Sequence, residues 1–126
     1  MTGLGNIVIV HLSGTLGANQ QGVIRVPLQG ATLVEIAATG SNANDAKLTV
    51  GPLADPDGYL ISGAIGDSST PAVFNASNFD GALADVLKIS APHLNKNAVL
   101  AWALDYDGSA GVAAANVDLQ FTFLEG

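Results

Sequence analysis

Hydrophobic and polar residues alternate most cleanly over the last ten positions of the chain. Val117, Leu119, Phe121 and Phe123 share one parity, and Asp118, Gln120, Thr122 and Leu124 share the other. Side chains of a strand point to opposite faces with a period of two, so the pattern predicts a half-buried β-strand running nearly to Gly126. A second stretch with two readable faces spans 98–106. Leu100, Trp102, Leu104 and Tyr106 are bulky and are expected to fill the space between two sheets. Val99, Ala101, Ala103 and Asp105 are mostly small, a face that suits either solvent or the underside of a neighbouring subunit or loop.

Elsewhere Gly, Pro, Asn and Asp punctuate the chain at intervals of about ten residues, the spacing of a sandwich or barrel. Strands are expected at 6–12, 22–28, 32–39, 47–50, 59–65, 72–74, 86–90, 98–106 and 116–124. The stretch 77–85 reads either as a loop or as one helical turn capped by Ser77. One pairing is predicted in detail. Ile24, Val26 and Leu28 share a parity, as do Thr32, Val34 and Ile36. A hairpin through Gln29, Gly30 and Ala31 sets residue 28 against 32 and 24 against 36, with Gly30 or a neighbour at positive φ. That register places Arg25 across from Glu35. No repeat or linker divides the chain, so residues 1–126 are expected to form one domain, with 1–5 as a short N-terminal arm.

Composition narrows the function classes. At 126 residues and 12.6 kDa, one domain buries roughly 65% of its unfolded surface without staples. Hydrophobic residues make up 48% of the chain but aromatics only 6%, which favours thin, closely packed sheets over a deep ligand cavity. With no cysteine, disulfides and thiolate metal sites are excluded. The net charge of −7, with Arg25, Lys47, Lys88 and Lys96 scattered, argues against nucleic acid and against anionic membranes as partners. No stretch approaches the roughly 20 apolar residues of a membrane span. The apolar segment 7–12 is short and follows no Lys or Arg, so it is expected to be a first strand and not a signal peptide.

Candidate chemistry is thin. Asp55-Pro56-Asp57-Gly58 and Asp105-Tyr106-Asp107-Gly108 resemble the start of a calcium loop but lack its further ligands, its closing glutamate and its helices. Both read as turns, and a weak calcium site built from the two loops together is the arrangement left open. His11 shares a parity with Ile7 and Ile9 and reads as hydrogen-bonded structure. His93 follows Pro92 in an expected loop. Ser13 stands near His11 without the strained turn that activates a nucleophile. Glu35 and Glu125 do not suggest a paired-carboxylate site, and Asn75-Ala76-Ser77 is taken as a chance glycosylation triplet. No enzyme activity and no cofactor are expected. The run from Ser41 through Asn42, Ala43 and Asn44 to Asp45 reads as a polar loop, and 108–115 as a flexible, nearly uncharged loop whose small side chains let a partner backbone approach.

Several segments resemble small all-β virion proteins of tailed bacteriophages. The likeness lies in Gly5-Asn6-Ile7-Val8-Ile9-Val10-His11-Leu12, the 41–45 loop, Asp57-Gly58-Tyr59-Leu60, and the closing block from Trp102 to the final strand. The resemblance implies an all-β, antiparallel, jelly-roll-like β-sandwich of eight or nine strands that decorates or cements a capsid, commonly as a homotrimer. The expected partners are then the major capsid protein and further copies of the chain, on the outer surface of a virion, after synthesis in the host cytoplasm. An acidic surface suits the outside of a shell better than the side facing DNA. The expected contact residues are Thr2, Gly3, Leu4 and Gly5 in the arm and Gly108, Ser109, Ala110 and Gly111 in the late loop. The competing expectation is a carbohydrate-binding β-sandwich of a head or tail appendage, with Tyr59 and Tyr106 as exposed platforms.

Overall fold

A computed structural model describes residues 5–26, 30–75, 79–80, 93–94 and 98–125. Nine strands are present among them: β1 (Gly5–Thr15), β2 (Gln20–Arg25), β3 (Ala31–Thr39), β4 (Lys47–Pro52), β5 (Leu60–Ala64), β6 (Ala72–Asn75), β7 (His93–Leu94), β8 (Val99–Asp105) and β9 (Ala115–Glu125). They form two antiparallel sheets, one in the order β1-β9-β3-β6 and the other in the order β2-β8-β4-β5. The two-residue β7 joins β3 on the side away from β9, next to β6. Setting β7 aside, the remaining eight strands follow the jelly-roll order of two Greek keys. The expected 86–90 strand and most of 77–85 lie outside the described residues.

The core is where the two inward parities meet. Val117, Leu119, Phe121 and Phe123 of β9 are fully buried, and so are Leu48 and Val50 of β4 and Leu100 and Leu104 of β8. Each such side chain contributes about 1.5–3 kcal/mol relative to exposure. Trp102 is also buried, and its indole lies over Gly22, where an added Cβ would come within 2.8 Å of the ring. The small residue on β2 is what lets the largest side chain of β8 lie flat.

The predicted 24–28/32–36 hairpin does not form. β2 pairs with β8 in one sheet, and β3 pairs with β9 in the other. Arg25 therefore stands opposite Val99, and Glu35 opposite Thr122 and Asn75. Matching parity is satisfied equally well by two strands that each turn one face to the core from different sheets. Gly30 does take a positive φ, 79°, but the chain there is crossing between sheets. A bulge between Leu33 and Glu35 also shifts the parity of β3. Leu33 and Ile36 point inward, while Thr32 and Val34 are only half-buried.

Candidate protein interface

Gly5, the described residue of the expected arm, and the late loop sit at opposite ends of the sandwich. Gly5 opens β1 opposite Leu124, while Thr2, Gly3 and Leu4 lie outside the described residues. Gly108, Ser109, Ala110 and Gly111 are exposed in the β8–β9 connection, beyond the far end of β1. The eleven residues of β1 separate the two regions by about 33 Å. Any contact through both is a contact at two places.

The late loop is not the flexible segment its composition suggests. The 41–45 run reaches across and occupies its backbone. Asn42 Nδ2 donates to Ala113 O at 2.9 Å, and Ala115 N donates to Asn42 Oδ1 at 3.0 Å. One amide side chain thus acts as a short strand partner. Ser41 N and Oγ both donate to Ala115 O, at 2.8 and 3.1 Å. Asp45 closes the other end: its N–H donates to Val112 O at 3.0 Å, and its Oδ2 accepts from Val112 N at 2.7 Å. A Cβ at Gly111 would run into that carboxylate. Behind the loop, Leu16 N donates to Ala114 O at 2.9 Å and Gly14 N to Asn116 Oδ1 at 2.8 Å. The result is a preformed tip, 108–112, on a clamped stem. The Asn-Asp run was legible as a loop, but its partner lies about seventy residues away in sequence and carried no local signal.

The small face of β8 is the outer face of the second sheet. Ala101 and Ala103 floor a shallow hollow of about 330 Å³, walled by Gln21 and Val23 on β2 and by Leu53 and Pro56 beyond β4. A neighbouring hollow of about 210 Å³ shares Gln21 and Ala103 with it and ends at Asp105. Both are open and shallow, shapes that fit a protein surface better than an enclosed small molecule.

Burial corrects one of the two sugar-platform residues. Tyr59 is only 6% exposed and belongs to the core, and burial raises its phenol pKa above 10.0. Tyr106 is half-buried against the core, and its ring abuts Gly108. Tyr59 therefore offers no free face, while Tyr106 keeps part of its surface exposed.

The acidic turns are separated as well. Lys47, at the start of β4, pairs with Asp105, whereas the 53–59 turn follows Pro52 at the other end. The six residues of β4 hold the two turns about 16 Å apart, which rules out a calcium site built from both. Each turn uses its own polar groups: Gly58 N donates to Asp55 O at 2.8 Å, and Asp107 N to Asp105 Oδ1 at 3.1 Å. Among the described residues no three His, Asp or Glu side chains converge. His11 lies on the outer face of β1, where Nδ1 and Asp118 Oδ1 of β9 are 2.6 Å apart, a cross-strand pair as its register with β9 requires.

Asp55 is held above the ordinary carboxylate value of 3.8, first by its side-chain hydrogen bond to Asp57, then by lost hydration and by the like charge. With the folded value raised, this bond is complete below about pH 3.8 and is lost as pH rises through the folded value. Asp57→Asn is expected to return Asp55 toward 3.8. A carboxyl-carbon NMR titration reads this directly, and an unmoved midpoint would place the cause elsewhere.

No family model matches the chain, and no curated protein matches it. Among solved structures, a chain of the cyanophage Pam1 capsid asymmetric unit is similar, with a TM-score of 0.50 at 16% identity over 97% of this chain and 86% of that one. At this identity the likeness shows the fold.

Proposed function

We propose that this chain is a non-enzymatic virion structural protein that decorates a bacteriophage capsid on its outer surface and stabilises it through protein–protein contacts. Its partners in this reading are the major capsid protein and further copies of itself, as a homotrimer. The observation that carries the reading is the shared fold with a chain of a phage capsid asymmetric unit, spanning nearly all of both chains. The mechanism is buried area. An acidic, sparsely charged sandwich bridges neighbouring shell subunits and adds to shell stability at their seams. The tip 108–112 is pre-organised by Asn42 and Asp45, so docking it costs little conformational entropy.

The stem of this loop supplies hydrogen bonds to the fold, so deleting 108–115 would damage folding along with attachment. Ser109 and Ala110 are exposed, and their replacement separates the two effects. Purified capsids of the encoding phage, made without this protein, are mixed with wild-type chain or with the Ser109→Glu/Ala110→Glu variant and pelleted. Wild type is expected to co-sediment, and the variant to lose roughly tenfold in affinity, about 1.4 kcal/mol, with an unchanged melting temperature. Equal occupancy by the variant would remove the tip from the contact. Failure of wild type to co-sediment would overturn the reading itself.

A further inference from the structure

The fifteen charged side chains are not spread along the chain. The first is Arg25, and residues 1–24 contain no Asp, Glu, Lys or Arg. The fold gathers most of that stretch onto one side. β1 is an edge strand of one sheet, β2 is an edge strand of the other, and the short 16–19 connection joins them. A molecule with a net charge of −7 therefore carries one side wall whose strands bear no Asp, Glu, Lys or Arg until Arg25 at the end of β2, the titratable side chain on β1 being His11, which is paired with Asp118 of β9.

This wall also lacks the charges that usually protect a sheet edge, its one irregularity being the register shift between Leu12 and Thr15. Long edge strands in monomers are blunted by lysine, proline or inward charge, and β1, at eleven residues, has none of these. The opposite edge of its sheet is short, with four residues in β6 and two in β7. Among the described residues β1 has a strand partner only on its β9 side. Ile7 and Ile9 point outward from the first sheet at 58% and 62% exposure, whereas Val23 on β2 points outward from the second sheet, beside the Ala101–Ala103 hollow. On the inner face of β1, Val8, Val10 and Leu12 are only partly buried. Leu124, opposite Gly5, extends the apolar surface onto β9.

We propose that this charge-poor wall is where a second copy of the chain docks, with Ile7 and Ile9 at the contact and the His11–Asp118 pair at its margin. Charge selects the occupant. A basic partner would be drawn to the acidic surface that the rest of the molecule offers, whereas two copies of one acidic chain repel wherever their carboxylates face each other. This wall is the side on which like-charged copies approach at least cost, Asp118 at its margin being paired with His11, and the isoleucines and the edge unpaired among the described residues supply the area to bury. This deepens the homotrimer reading, on which it rests only for the number of copies: in a trimer the wall faces the three-fold axis.

The test is native mass by light scattering over a dilution series, on purified protein without capsids. Wild type is expected at a multiple of the 12.6 kDa chain. Ile9→Asp is expected to raise the dissociation midpoint by at least roughly tenfold and to populate single chains, while Val73→Asp, an equally apolar exposed position on β6, leaves the mass unchanged. Should Ile9→Asp fail to fold by circular dichroism, Ile7→Thr/Ile9→Thr keeps the β-branched backbone preference and is expected to shift the midpoint in the same direction. A wild type that is a single chain at every concentration, an assembly indifferent to either Ile9 variant, or equal dissociation by Val73→Asp would each overturn the proposal. Protection of β1 amides only when capsids are added would give the wall to the shell protein, and overturn it equally. Capsid co-sedimentation is read separately: an oligomer that ignores capsids sinks the decoration reading and leaves this one standing.

Discussion

Phe121→Ala is expected to remove about 3–5 kcal/mol of stability, a drop of roughly 10–20 °C in melting temperature for a domain of this size. Phe121 is fully buried near the middle of β9, paired with Val8 of β1 on one side and Ile36 of β3 on the other. Its ring therefore packs where both neighbours and the facing sheet converge. Removal leaves a cavity that the strand cannot close without breaking two ladders. The cost is a large fraction of the total, since domains of this kind hold about 5–15 kcal/mol in all. Urea unfolding followed by Trp102 fluorescence measures it. A loss below about 1.5 kcal/mol, the range of volume-conserving core changes, would mean that the inward face of β9 is misassigned.

Asn42→Ala is expected to be nearly as damaging, at about 2–4 kcal/mol, although no apolar packing is lost. The substitution strips the partner from Ala113 O and from Ala115 N beside the buried Ala114 and Ala115. Each buried polar group left unsatisfied costs about 1–3 kcal/mol. Hydrogen exchange locates the effect: the Ala115 amide should lose protection, while the amides between β4 and β8 keep theirs. If Ala115 stays protected, Ser41 and Asp45 hold the stem without Asn42. The same variant links folding to the proposed function, because a loosened stem must pay to order its tip on a shell. Capsid affinity is expected to fall further than it does for a tip variant of equal charge.

Much of the architecture was legible along the chain. The alternation of 117–124 and the bulky parity of Leu100, Trp102 and Leu104 are local properties of an extended backbone, and the structure buries those residues. Turn chemistry marked the punctuation as well, since Gly, Pro, Asn and Asp act on their own neighbours in sequence. The errors share one cause. Parity shows which side of a strand faces inward and is silent on which strand lies beside it, so a register that sets Arg25 against Glu35 joins residues of different sheets. The bulge at Leu33–Glu35 shifted a face for the same reason: one extra residue is set by the partner ladder, not by local propensity.

The candidate site divides along the same line. Charge segregation was wholly a property of the sequence, for residues 1–24 contain no Asp, Glu, Lys or Arg however they fold. Only the sheet order made them a surface, by placing β1 and β2 at edges. Composition marked 108–112 as small and uncharged, yet its rigidity came from Asn42 and Asp45 across the fold. The sequence by itself determined which side chains avoid water and where the backbone turns, because both follow from groups within a few residues of each other. The tertiary structure alone decided which strands meet, which strands lie at the sheet edges and which loop is clamped, because those depend on hydrogen bonds between residues far apart in the chain.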